Sequence, residues 1–370
     1  MTVCIISFGK FHSFDLAREL NNVFSVKLFS TYPFFIAKKY SLKKKDFSSF
    51  FLLQLIDRVT LRFFSDLLKN FYALMLTIIL PKEQDIYILW SDIPSFLFRH
   101  IKSKSPNSKI ILERGSSHIE FQYDLLKQEY SLLNQKLNFP KKHIITELEN
   151  YDLANYISIP SKFAYDSFVE KNISKEKLFL NPYGADISKF YSKNKNNKKF
   201  TIMTCGLASI QKGFHYMLKA HKFIEGDFSH IHVGKIDLIF KKDIINYPNL
   251  KIIKSVPHNL LIDYYNKADI LVIPSIQDGF GMVILEAMAC GMPIISTHNT
   301  GFSTLETQTN KCGYLIDIRS SKQIAEKINL LKKDFNLLNK FSMNSIDVIS
   351  KGGYTWYDYG KRYSNFLSSI

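Results

Sequence analysis

The stretch from Ile270 to Gly301, ILVIPSIQDGFGMVILEAMACGMPIISTHNTG, constrains the fold more than any other part of the chain. Ile270 to Ile273 is an apolar run stopped by Pro274-Ser275, the pattern of a buried parallel strand. Gln277-Asp278-Gly279-Phe280-Gly281 is a turn with two glycines, so its backbone can approach a ligand closely. Met282 to Cys290 is apolar apart from Glu286 and reads as a helix, with Gly291 at its C-cap and Pro293 just beyond. Pro293 to Thr297 reads as a second buried strand. The spacing predicts one βαβ unit whose polar loop lies at the carboxyl end of its first strand, where ligands bind in open α/β sheets.

Two acids mark this unit. Asp278 is either a turn residue or a ligand contact. Glu286, inside an apolar helix, must reach a cleft or find a buried partner. The functional reading has both carboxylates accepting hydrogen bonds from the hydroxyls of a sugar nucleotide.

The segment PSIQDGFGMVILEAMACGMPIIST resembles the signature of retaining GT-B glycosyltransferases of the family 4 type, the glycosyl transferases group 1. Their pattern runs Pro-Ser-x-x-Glu-Gly-Phe-Gly, then Leu-Glu-Ala-Met-Ala-x-Gly-x-Pro-Val-Ile. Asp278 departs from it by one methylene. The resemblance implies an α/β GT-B fold, two Rossmann-like doubly wound parallel-sheet domains facing a cleft. It places an N-terminal acceptor-side domain at 1–182, a C-terminal nucleotide-sugar domain at 183–353, and a last helix at 354–370 crossing back to the first domain. A chain of 370 residues is comfortable for two such domains.

Further segments carry the same resemblance. Val3 to Ser7 reads as a first strand, followed by a turn at Gly9 that in the family faces the acceptor; a plain βα turn glycine is the other reading. Lys109 to Glu113 reads as a strand leading into Arg114-Gly115-Ser116-Ser117-His118. The resemblance sets His118 beside the reacting sugar, with Arg114 facing a phosphate or pairing with Glu113 or Glu120. Tyr156 to Ser161 is similar to a strand ending in Pro-Ser, and Ser161 is placed to cap the following helix. Leu178 to Asp186 is similar to the interdomain crossing, and Lys189 to Lys199 reads as an exposed Lys/Asn-rich loop. Phe200 to Cys205 opens the second domain as a strand. Gly206, Lys212 and Gly213 then match the family's phosphate site, but Leu207 stands where an arginine is usual. His230 to Gly234 reads as a short strand and turn, and Val256-Pro257 as the region near the base.

The chemistry implied follows residue by residue. Glu286 accepts from the ribose hydroxyls and Asp278 holds a sugar hydroxyl. The backbone of Gly279, Phe280 and Gly281 lines the sugar and diphosphate. Lys212, with Gly206, binds the diphosphate and stabilises the charge that grows on it as the glycosidic bond breaks. Retention in the family is attributed to front-face attack, the departing phosphate taking the acceptor proton. The chain contains no Asp-x-Asp and no clustered His/Cys ligand set, so no metal and no cofactor is expected, the nucleotide sugar being a substrate. A non-catalytic GT-B-like partner subunit and a sugar-nucleotide epimerase are the alternatives.

Residues 34–80 stand apart. Lys38, Lys39, Lys43, Lys44, Lys45, Arg58, Arg62 and Lys69 face only Asp46, Asp57 and Asp66, and apolar residues recur between them at helical spacing. This suits an interfacial surface on an anionic membrane; it also describes core-packed helices with a solvated basic face. A net charge of +16 fits an anionic membrane or a nucleotide phosphate, and without a nucleic-acid motif it argues for no nucleic-acid partner. The longest apolar run, Phe71 to Leu80, is about half of the roughly 20 residues needed to cross a bilayer. The N-terminus reads as a strand rather than a signal peptide. Cys4, Cys205, Cys290 and Cys312 lack CxxC spacing and read as buried thiols. These features predict a cytoplasmic protein, peripheral on a membrane; the resemblance implies that it acts on a lipid-linked saccharide at the inner membrane, in the assembly of lipopolysaccharide or another surface polysaccharide.

Overall fold

A computed structural model describes residues 1–193, 199–305 and 311–370. Of the Lys/Asn-rich loop expected at 189–199, residues 194–198 lie outside the described residues. Seven strands form the first sheet: β1 (Thr2–Ser7), β2 (Ser25–Ser30), β3 (Phe47–Ser49), β4 (Ile86–Trp90), β5 (Lys109–Glu113), β6 (Tyr156–Ile159) and β7 (Leu178–Leu180). Six form the second: β8 (Thr201–Cys205), β9 (Ser229–Val233), β10 (Leu250–Ile253), β11 (Ile270–Ile273), β12 (Ile294–Thr297) and β13 (Gly313–Ile316). Their orders are β3-β2-β1-β4-β5-β6-β7 and β10-β9-β8-β11-β12-β13, with the strands paired in parallel throughout. These are the two Rossmann-like halves of a GT-B fold.

The central strands are apolar on both faces because helices cover both. Val3 to Ile6, Ile110 to Leu112 and Ile270 to Val272 are fully buried. In each sheet the order reverses beside a central strand, between β1 and β4 and between β8 and β11. Side chains leaving the carboxyl ends there meet a crevice rather than a covering helix.

The segment that organised the sequence reading folds as a βαβ unit. Strand β11 is followed by the helix Val283–Ala289 and by β12. Gly291 ends the helix with φ of 68°, which favours glycine. The last helix, Trp356–Ser369, opens with a capping box between Thr355 and Asp358. It packs on the helix Ser13–Leu20 of the first domain, and a Cβ on Gly360 would lie 2.2 Å from that of Glu19.

Residues 34–80 fold into the helices Phe34–Lys38, Phe51–Val59 and Ser65–Ile79, with β3 between the first two. Leu53, Leu68, Tyr72, Ala73 and Leu76 face the core. The other side is apolar too. Leu61 is 89% exposed, Phe63 84% and Val59 73%, around a tight turn in which Leu61 and Arg62 have positive φ, and Ile78, at the far end of the helix Ser65–Ile79, is 80% exposed. Among the described residues no helix is long and apolar enough to cross a membrane.

Candidate functional site

The carboxyl ends of β1, β4, β5, β8, β9 and β11 converge on a cavity of about 490 Å³ bounded by both sheets. The first domain contributes Phe11, His12, Trp90, Ser91 and the run Glu113 to Ser116. The second contributes Thr204 to Ala208, Lys212, His232, Val272 to Ser275, Asp278 and Phe280 to Val283, and Tyr183 closes one side.

The loops around the cavity are tied across the domains. The Gln277 amide donates to the hydroxyls of Ser116 at 2.8 Å and Ser117 at 3.1 Å. The Ser161 hydroxyl donates to the Gly279 carbonyl at 2.6 Å, and the Lys162 N–H to Thr304 Oγ1 at 2.8 Å. Farther out, the buried Glu129 of the first domain meets His215 Nε2 at 2.9 Å and Arg319 Nε at 2.6 Å. Its burial works against ionisation, but the bonds from His215 and Arg319 outweigh it and hold the carboxyl below its ordinary value. Phe280 and Tyr183 pack with ring centroids 5.3 Å apart at the junction.

Of the residues singled out in the sequence, Gly206, Lys212, Asp278, Phe280, Gly281 and Arg114 border the cavity. Lys212 Nζ and Asp278 Oδ2 form an ion pair at 2.5 Å. Gly206 has φ of 112°, and a Cβ there would meet nothing within 4 Å, so the loop after β8 presents open backbone. Leu207 is 49% exposed on the same loop. It offers apolar surface where an arginine was expected, leaving Lys212 as the cation of this loop that borders the cavity.

Packing sets the surroundings of four of the residues singled out in the sequence. His118 does not border the cavity. Its ring is buried between Tyr151 and Phe168, and Nδ1 accepts from the Glu120 N–H as the N-cap of the helix Ile119–Leu132. Burial, then the charges of Arg114 and Lys171, lower its pKa to about 4, which keeps the nitrogen free to accept. Arg114 pairs with neither Glu113 nor Glu120. Its guanidinium is turned inward, bonded to the Ser117 carbonyl, Gln122 and Ser91, with Glu147 at 3.5 Å. Gly9 lies behind the wall, its carbonyl accepting from the hydroxyls of Ser7 and Ser30. Gly279 is occupied by the opposite domain: a Cβ would lie 1.9 Å from the Gly115 carbonyl oxygen.

Glu286 stands just behind the cavity wall formed by Met282 and Val283. It is buried, and Oε2 accepts from the Tyr265 hydroxyl at 2.8 Å. Oε1 meets Nε2 of the exposed His258 at 2.7 Å. That bond outweighs burial and raises the pKa of His258. The partner of Oε1 is therefore a side chain at the surface, 62% exposed. Nearby, burial and then the charge of Glu286 push the Cys205 thiol up to about 12, so it stays neutral. None of the four cysteines is in a disulfide. Among the described residues no group of three or more His, Cys, Asp or Glu side chains is placed to hold a metal ion.

Sequence reasoning missed His12 and Glu113 as a pair. His12 Nε2 lies 3.0 Å from Glu113 Oε1, both buried, although 101 residues separate them. The one signal was position: each follows or ends a strand whose carboxyl end faces the crevice.

Residues 187–348 match the family described as Glycosyl transferases group 1. The chain is 28% identical over 184 residues to the capsular polysaccharide biosynthesis glycosyltransferase CapM of Staphylococcus aureus, which is 46% of this chain and 47% of that one. It is 27% identical over 210 residues to a probable sucrose-phosphate synthase of Thermosipho melanesiensis, 52% of this chain and 48% of that one. The chain thus spans about half the length of these curated relatives. Among solved structures, Anabaena HepE in complex with UDP and glucose superposes with a TM-score of 0.71 at 14% identity, covering all of both chains. Sucrose-phosphate synthase from Thermosynechococcus elongatus superposes at 0.73 and 14%, covering all of this chain and 98% of that one. At such identity the likeness is one of fold.

Proposed function

We propose, from the match of residues 187–348 to the group 1 glycosyltransferases, that the chain moves a sugar from a nucleotide-sugar donor to a saccharide acceptor with retention at the anomeric carbon. The observation that carries the reading is the Lys212–Asp278 pair on a cavity bounded by both domains. A diphosphate needs a cation and open backbone. Lys212 and the loop at Gly206 offer both. A sugar hydroxyl needs an acceptor, and Asp278 offers one within reach of the same lysine.

Charge growth on the leaving diphosphate is what Lys212 stabilises. As it turns to the phosphate, Asp278 is released to the sugar. Glu286 takes the ribose hydroxyls once the exposed His258 swings from Oε1, while Tyr265 keeps the carboxylate oriented. The contacts of Gln277 and Ser161 across the domains hold water out of the closed cleft. The departing phosphate takes the acceptor proton, so no residue has to be a strong nucleophile, and the reaction proceeds without a metal.

The acceptor is a lipid-linked saccharide and the pathway one of surface-polysaccharide assembly, with the enzyme working in the cytoplasm at the inner membrane. Two features support this. The exposed apolar side of the helices Phe51–Val59 and Ser65–Ile79 ends in Leu61 and Phe63, Arg58 and Arg62 supply positive charge at the turn, and Lys38, Lys39, Lys43, Lys44 and Lys45 add to it within the same stretch. That combination suits an anionic bilayer surface.

The reading is tested by thermal shift and calorimetry of the full chain with UDP-glucose, UDP-galactose, GDP-mannose and ADP-glucose. A ligand that binds only the folded state raises the melting temperature. Absence of any shift or heat with all four overturns it. Product anomers resolved by NMR test retention, and full activity after chelator treatment tests metal independence.

A further inference from the structure

Glu113 ends β5 as a carboxylate that is 1% exposed and surrounded by donors. The Tyr359 hydroxyl lies 3.4 Å from Oε1 and the Tyr363 hydroxyl 3.2 Å from Oε2, both from the helix Trp356–Ser369. Burial, then the charge of Glu113, holds both phenols protonated. A protonated phenol beside a carboxylate donates to it, so both hydroxyls donate to Glu113, whose oxygens accept. The third neighbour, His12 Nε2, must then donate as well. In a neutral imidazole this leaves Nδ1 as an acceptor. Nδ1 has no hydrogen-bond partner among the described residues, and His12 borders the cavity from the first domain's side.

The surroundings of His12 are aromatic. Its ring centroid is 4.3 Å from that of Tyr183 and 5.0 Å from that of Trp90. Trp90, Tyr183 and Phe280 border the cavity with it. Flat apolar faces beside one fixed hydrogen-bond acceptor match a pyranose, which has C–H faces and a hydroxyl edge.

We propose that His12 is a carbohydrate contact: Nδ1 accepts a hydrogen bond from a sugar hydroxyl held in the cleft, and Glu113 is the positioning residue that fixes its tautomer and ring. The proposal rests on the glycosyl-transfer reading of the site and names one of its contacts. The hydroxyl belongs either to the transferred sugar or to the acceptor. Because Tyr359 and Tyr363 share Glu113, the last helix reaches the substrate through this chain of bonds.

Two substitutions separate a substrate contact from a structural bond. His12→Gln keeps an N–H donor that reaches Glu113 and removes the δ nitrogen. His12→Asn keeps a polar group at the δ position and loses the bond to Glu113. The full-length variants are compared by melting temperature, by affinity for UDP and for the nucleotide sugar that binds the wild type best, and by transfer to a panel of octyl glycosides. His12→Gln is expected to melt with the wild type and to lose about tenfold or more in kcat/KM, one hydrogen bond's worth. If the hydroxyl is on the transferred sugar, affinity for the nucleotide sugar falls while that for UDP holds. If it is on the acceptor, both affinities hold and transfer alone falls. The proposal is overturned if His12→Gln matches the wild type in binding and transfer, including the case in which only His12→Asn is impaired. A wild-type chain that binds no nucleotide sugar removes the underlying reading, and the proposal with it.

Discussion

Gly279 of the second domain rests on the carbonyl of Gly115 in the first so closely that a Cβ on Gly279 would lie 1.9 Å from that oxygen. Backbone meets backbone there, so neither side can relax by turning a side chain. Closure of the cleft thus depends on the absence of a single methyl group.

Gly279→Ala is expected to part the two loops, breaking the contacts of Gln277 with Ser116 and Ser117. The cores of the two domains do not involve Gly279, so each stays folded. Small-angle scattering should show a larger radius of gyration than the wild type at an unchanged circular dichroism spectrum. An unchanged radius would mean the contact does not hold the domains together.

Lys212→Met removes the cation and leaves Asp278 as a lone carboxylate facing the diphosphate. The expected loss in kcat/KM is about a hundredfold, the size typical for one group that stabilises developing charge. Asp278→Asn keeps a hydrogen-bond acceptor and should lose less. Steady-state kinetics on both variants checks the order; equal losses would assign the two side chains a single shared role.

His258 and Glu286 predict a pH dependence. Their hydrogen bond raises the pKa of His258 above its ordinary 6.5, against the effect of burial. The folded protein therefore binds this proton more tightly than the unfolded chain. The stabilisation is present in full below the unfolded value and is lost as pH rises through the raised folded value. The melting temperature of the wild type should exceed that of His258→Gln most below the ordinary value of 6.5, and the gap should shrink as the pH rises above it. A gap independent of pH would remove the charge from the account.

The exposed turn between the helices Phe51–Val59 and Ser65–Ile79 gives a surface test. Leu61 and Phe63 are more than four-fifths exposed, so Leu61→Glu with Phe63→Glu should leave the melting temperature unchanged. Sedimentation with phosphatidylglycerol vesicles should fall by about tenfold or more. Raising the salt should weaken wild-type binding as well, since the basic residues beside the turn act through screened charge. Equal sedimentation of both proteins would reject this turn as the membrane contact.

Much of this molecule is legible in its sequence. Apolar runs broken by Gly and Pro mark β1, β8, β11 and β12, because a parallel strand buried on both faces can carry little else. The run Gln277 to Gly291 announced its turn, helix and cap through residues whose backbone preferences are local. Lys212, Gly206 and Asp278 reach the cavity because each sits in a loop directly after a strand or before a helix, where sequence position fixes direction. His118 shows the limit. Its loop lies where the resemblance set it, but which way a side chain turns depends on what packs against it, and Tyr151 and Phe168 claim the ring. Arg114 was turned inward in the same way by Glu147 and Gln122.

The sequence by itself determined the α/β units, through short-range patterns of hydrophobicity and backbone preference, and its resemblance to the group 1 pattern implied two such domains about a cleft. Only the tertiary structure decided which side chains enter the cleft. His12 meets Glu113 across 101 residues, and Glu113 meets Tyr363 across 250. Such pairs have no local signal; they exist because two strands and a returning helix end at one point. Asp278 in its turn and Glu286 in its helix kept their places, but their partners, Lys212 for one and His258 with Tyr265 for the other, came from packing.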